Sequence, residues 1–138
     1  MSHTVPGRGC RALAIAALSL SSLGMAAAQD AVATVDADGV QRIAIVGGSY
    51  FFRPPRIVAR AHVPLELQLS VEPGMIPHRF VLEDPAGQPL ADLPLGTQTQ
   101  ALRLTLPAGD YPFYCPHRLL LFPSHREHGM AGVLQVRE

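Results

Sequence analysis

The chain has no lysine in 138 residues. Its eleven basic residues are all arginines, and they are scattered singly. A protein built on phosphate contacts needs a basic stripe or patch, so nucleic acid is not an expected partner. No G-x-S-x-G string occurs, and no H-E-x-x-H, so neither a nucleophile-elbow hydrolase nor a zinc metalloprotease is indicated. Helical periodicity is scarce, and there is neither an internal repeat nor a second domain. No apolar run makes a comfortable membrane span. Cysteine is nearly absent too, with two in the chain, Cys10 and Cys115.

The first of those cysteines lies in a segment that does not read as folded structure. Met1 to Arg11 is polar and carries Arg8 and Arg11, Ala12 to Gly24 is almost wholly Ala, Leu, Ile and Ser, and "MAAAQD" follows. Ala26 and Ala28 occupy the small-residue positions of an A-x-A cleavage site, the layout of a secretory signal peptide over residues 1–28. Cys10 precedes the apolar run, so it is misplaced for a lipid-attachment cysteine. Cleavage after Ala28 leaves one domain, residues 29–138, exported to the periplasm, in which nine arginines face eleven acids for a net charge of −2. A chain of that size buries about two-thirds of its unfolded surface, enough for one core. It keeps a single thiol, Cys115. In an oxidising compartment such a thiol must be buried, paired with another chain, or bound to something.

What the mature region does have is short alternating runs cut by proline and glycine. "VQRIAIVGG" alternates around Ile43 and Ile45, and Leu65, Leu67, Leu69 and Val71 share a face. Phe80 with Leu82, Leu102 with Leu104 and Leu106, and Tyr111 with Phe113 and Cys115 repeat the pattern. "RPPR", "VEPGMIP", "DPAGQP" and "LPAGD" separate the runs. This pattern indicates an all-β sandwich or barrel of about seven to eight strands. Residues 29–38 read as a frayed start, though Val32 and Val35 could add an edge strand.

The chemistry gathers in "YCPHRLLLFPSHREHGM", residues 114–130, which packs one Cys, three His and one Met into a short span. With His78 upstream, the donors in order are His78, Cys115, His117, His125, His128 and Met130. An electron-transfer copper site takes two imidazoles and a thiolate near one plane, with a weak axial thioether. Thiolate and thioether favour Cu(I) while imidazole tolerates Cu(II). One histidine from a distant strand, with Cys, His and Met from one loop, would meet that need.

"MIPHRFVL", "YPFYCP" and "SHREHGMAGVLQV" together resemble the cupredoxins, the small type 1 copper proteins that include plastocyanin, azurin and sulfocyanin. Several of these end their ligand set as Cys-spacer-His-x4-Met with Gly just before the Met, and here His125 stands in that relation to Met130. The run from Phe52 to Leu69 is also similar to the family's upstream strands, so the likeness covers most of residues 40–138. It implies a Greek-key β-sandwich with one copper ion at one end. It further implies Cys115 as the thiolate ligand, His78 and His125 completing the plane, and Met130 as the axial ligand. Two features depart from the family. Nine residues separate Cys115 from His125, where most small members have about two to four. Arg79 follows His78 where many have the Asn that ties the ligand loops together, so another group must do this here.

The remaining donors read as bystanders. Pro116 turns the strand before His117, which is expected on the loop surface. His128 would compete sterically with His125 and reads as a solvent-side histidine. His62 sits at a tight turn, Met75 in a Pro-Gly turn, and Arg126 with Glu127 reads as an exposed charged pair. Leu119, Leu120, Leu121 and Phe122 have two readings: they fold back to shield the metal, or they form an apolar patch where a redox partner docks. The resemblance implies a monomeric, non-enzymatic carrier of single electrons, partnered by a c-type cytochrome or a copper enzyme. The His-x-His strings of multicopper oxidases are missing, and four protein ligands would close the site to substrate. A periplasmic copper-binding protein for tolerance or delivery is the alternative.

Overall fold

Eleven strands follow one another without a helix among the described residues, which in this computed structural model are 1–3 and 29–138. The proposed signal peptide falls almost wholly outside them. Eight strands have five or more residues: β3 (Gln41–Gly48), β5 (Arg56–Arg60), β6 (Leu65–Val71), β7 (His78–Glu83), β8 (Pro89–Leu95), β9 (Gln100–Leu104), β10 (Gly109–Tyr114) and β11 (Ala131–Arg137). Three are short: β1 (Ala31–Val32), β2 (Thr34–Val35) and β4 (Phe51–Arg53). One sheet runs β1-β5-β11-β10-β7-β8, and the other β2-β3-β6-β9 with β4 also on β3. The N-terminal segment does add edge strands, in two pieces. β1 joins the first sheet parallel to β5 and β2 joins the second antiparallel to β3, so Val32 and Val35 hold one edge of each.

The alternation in sequence becomes the core because successive strand residues point to opposite faces. Leu65, Leu67, Leu69, Phe80, Leu82, Tyr111, Phe113, Leu134 and Val136 are all buried between the sheets. Phe52, Phe80 and Phe113 meet at its centre, with ring centroids 5.3–5.7 Å apart. Polar groups inside are matched. Buried Gln41 on β3 donates to the carbonyls of Arg60 and Val63 and accepts the Arg60 N–H, which pins one sheet to the other. The Tyr111 hydroxyl donates to the Pro107 carbonyl at 2.8 Å.

Register then decides where the donors go. β10 pairs antiparallel with both β7 and β11, with Tyr114 opposite Val81 on one side and Ala131 on the other. One step beyond, Cys115 N–H donates to the Met130 carbonyl at 3.0 Å. The start of β7, the end of β10 and the start of β11 therefore lie together at one end of the sandwich. The close approach there depends on Gly132, since a Cβ at that position would clash with the Phe113 ring and the Pro55 carbonyl.

Candidate metal centre

His78, Cys115 and His125 converge, and their ligand atoms all lie within 4.8 Å of one another. His125 Nδ1 is 3.2 Å from His78 Nδ1 and 3.6 Å from Cys115 Sγ. All three residues are buried, Cys115 completely. His78 is the first residue of β7, so its position follows from the ladder with β8 and β10. The next residue contributes its backbone alone. Arg79 N–H donates to Cys115 Sγ at 3.4 Å while its guanidinium turns outward to Asp92 at 2.8 Å. The side chain at position 79 thus does not tie the ligand loops.

His125 is held by its own loop. Its N–H donates to the His117 carbonyl at 2.8 Å, the Arg126 N–H to the Cys115 carbonyl at 3.0 Å, and the Met130 N–H to the His125 carbonyl at 2.8 Å. His128 N–H reaches the Ser124 carbonyl at 3.2 Å, closing one helical turn. That turn has a reciprocal cap. Glu127 Oε2 accepts the Ser124 N–H at 2.6 Å, and Ser124 Oγ accepts the Glu127 N–H at 3.3 Å. This is the S-x-x-E capping box, and the string Ser124-His125-Arg126-Glu127 signals it in the sequence. The same Oε2 also accepts the Ser124 hydroxyl at 2.7 Å and the Arg118 guanidinium at 3.1 Å. The expected Arg126–Glu127 pair is therefore corrected. Glu127 is taken by Ser124 and Arg118, while Arg126 lies over the Tyr114 ring at 4.0 Å, whose hydroxyl donates to Glu83.

Met130 is fully buried where the loop enters β11. Its methyl Cε lies 3.1 Å from where a Cβ on Gly47 would stand, so the bare backbone of β3 makes room for the thioether. His117 is half-buried rather than exposed, with its ring centroid 5.1 Å from that of His125. His128 is exposed and packs on Tyr50 at 4.6 Å. Tyr50 also meets His125 edge-on at 5.2 Å. It does so from a left-handed backbone with φ of 64°, an uncommon conformation for a bulky residue. A hairpin turn between β3 and β4 leaves no sequence trace of a contact so far along the chain, and Tyr50 has no counterpart among the residues singled out in the sequence. His62 is exposed at its turn with φ of 60°. Met75 projects into solvent beside a cleft that also involves Glu72, Ile76 and His78.

Leu119 to Phe122 form a tight turn closed by the Phe122 N–H on the Leu119 carbonyl at 3.0 Å. Leu120 is 81% exposed and Leu121 100%. The turn does not fold back over the donors; His125 is covered instead by Tyr50 and His117.

Burial pushes the basicity of His78 and His125 below the ordinary imidazole range, and neighbouring imidazoles add to this. This favours the neutral form of both rings, the form that binds a metal. Two neutral imidazoles and one buried thiol within a single ion's reach suit copper, which takes imidazole and thiolate together.

No family model matches the chain, and no curated protein does. Solved structures do. The metal-binding domain of the Cu(I)-exporting P-type ATPase CopA of Streptococcus pneumoniae, solved with Cu(I), is 18% identical at a TM-score of 0.61 over 81% of this chain and 99% of that one. A copper binding protein in its apo form is 22% identical at 0.57, over 80% and 100%. Auracyanin A, a "blue" copper protein of Chloroflexus aurantiacus, is 21% identical at 0.55, over 72% and 100%. At these identities the likeness establishes the fold alone, an all-β sandwich shared with these copper proteins. Among the described residues no helix is long and apolar enough to cross a membrane.

Proposed function

We propose that this chain, a cupredoxin by its fold and by its cluster of His78, Cys115 and His125, carries single electrons through one type 1 copper ion in the periplasm. The observation that carries the reading is the convergence of one fully buried thiol and two buried imidazoles within 4.8 Å. Met130, buried at the junction of loop and strand, is the proposed axial ligand. Copper would supply the reversible one-electron couple. The chain's part is to hold the donors still. Rigid strands place His78 and Cys115, and the Arg79 N–H lies ready to offset charge on the sulfur. Little rearrangement between oxidation states means little barrier to transfer. The protruding Leu119–Phe122 turn is the proposed docking surface for a redox protein, through the small interface typical of such encounters.

A second reading, copper delivery or tolerance, has one observation in its favour. Met75 offers an exposed thioether beside the cleft that reaches His78. Copper-loaded protein is expected to show strong visible thiolate-to-copper absorption, and Cys115→Ser to abolish it. Folded, copper-loaded protein without that band would sink the type 1 assignment. Reversible voltammetry and fast reaction with a cytochrome favour the carrier. Copper sensitivity on deletion, with respiration intact, favours delivery or tolerance.

A further inference from the structure

We propose that Glu127 is the residue that positions His125, and that it does the work the side chain at position 79 leaves undone; this rests on the reading of His125 as a metal ligand. The His125 ring meets Tyr50 and His78, but its backbone is bonded only within its own loop, to His117 and Met130. No ladder hydrogen bond reaches it, and its place depends on one helical turn between the insert and β11. An isolated turn is unstable because nucleation fixes several dihedrals for one hydrogen bond. Besides its backbone bonds, the side-chain support of this one is concentrated on a single carboxylate oxygen. Glu127 Oε2 accepts from the Ser124 N–H, the Ser124 hydroxyl and Arg118. The first two fix the residue immediately before His125. The third reaches back across the Leu119–Phe122 turn to Arg118, beside His117, whose carbonyl receives the His125 N–H. One side chain thus closes the insert into a ring around the ligand turn. This explains how a long Cys-to-His spacer can present a buried histidine to the thiol while its own middle stays in solvent.

The test is made first without copper. In the apoprotein the amides of His125 and Arg126 are bonded to the carbonyls of His117 and Cys115. Their hydrogen exchange is expected to quicken about five- to tenfold in Glu127→Ala, the size of losing one good cap. Amides of Leu67 and Leu69 in β6 should keep their rates. Copper affinity should fall about 10- to 100-fold, as it does when a group supporting a ligand is removed. The visible band should shift, a signature that mere loss of stability would not move. Glu127→Gln keeps an oxygen that can accept from Ser124 and should restore most of each effect. Asp110→Ala, which removes an exposed ion pair with Arg137 at the far end of β10, should change none of them. Unchanged exchange at both amides with unchanged copper affinity would overturn the proposal. So would equal acceleration in β6, which would mean general unfolding. Faster local exchange in a protein whose wild type binds no copper would instead leave the positioning intact and defeat the copper reading.

Discussion

His78 and His125 arrive at the same thiol by different means. His78 opens a strand, and its neighbours on β8 and β10 locate it through ladder register. His125 stands on a single capped turn, and every backbone bond that places it comes from residues 115–130. The lesson is that a buried donor does not need a strand beneath it. A local network can hold one, provided its backbone groups are all answered and a carboxylate closes the cap. The two supports should also fail differently. Damage to the sheet should lower stability throughout, whereas damage to the turn should disturb the metal first.

Met130 joins the two supports, and its loss should have the largest effect. It is fully buried and packs toward Gly47, Val71 and Phe52. Met130→Ala should cost about 2–5 kcal/mol in urea unfolding of the apoprotein, the usual range for emptying a buried methionine site. Met130→Leu roughly conserves volume and should cost less than about 1.5 kcal/mol. It also removes the thioether, so a changed visible band in a variant of near-native stability would separate the ligand role from packing. An unaltered band in Met130→Leu would argue against axial ligation.

Gly132→Ala comes next and tests the strand side. The new methyl would meet the Phe113 ring and the Pro55 carbonyl. Neither can retreat easily. Phe113 is completely buried, and the Pro55 carbonyl accepts the Val133 N–H at 2.9 Å. Overpacking of this kind costs about 1–3 kcal/mol. The fall in stability should come with faster amide exchange along β10 and β11. If stability is retained, the sheet is more pliant at this end than the packing implies.

Most of the framework was legible in the sequence, for a physical reason. Period-two alternation marks a half-buried strand directly, so Leu65, Leu67 and Leu69, or Tyr111, Phe113 and Cys115, declare their inward face. The clustering of His78, Cys115 and His125 was legible too, because few side chains can bind a soft metal and those present fall at a recognisable spacing. The contacts around the cluster were harder. Tyr50 reaches His125 from a hairpin more than seventy residues upstream, and adjacency across a sandwich leaves no periodic mark. Arg79 has a backbone N–H that matters and a side chain that points away, which residue identity cannot distinguish. The cap at Ser124 and Glu127 was readable in principle as S-x-x-E. Without an apolar helical run behind it, the motif looks like an ordinary charged loop. The Leu119–Phe122 run was open between two readings, and the exposure of the turn excludes the one in which it shields the metal.

The smallest expected effect is a pH dependence that both histidines share. Burial lowers the basicity of His78 and His125 in the folded apoprotein below the ordinary value of 6.5. Between that lowered value and about 6.5 the unfolded chain therefore holds more protons than the folded one. Stability then rises with pH through this window, since its slope follows the excess of protons bound by the unfolded state. The apoprotein should have its full thermal stability above about pH 7 and lose some as the pH falls through 6.5 and below. Copper loading should deepen the dependence, because protons compete with the metal for the same ring nitrogens. The two supports can be separated within this small effect. His78→Ala and His125→Ala should each remove part of the apoprotein slope, and together all of it. A slope that survives the double substitution would mean that the titration comes from elsewhere, and that the two rings are not neutral by burial.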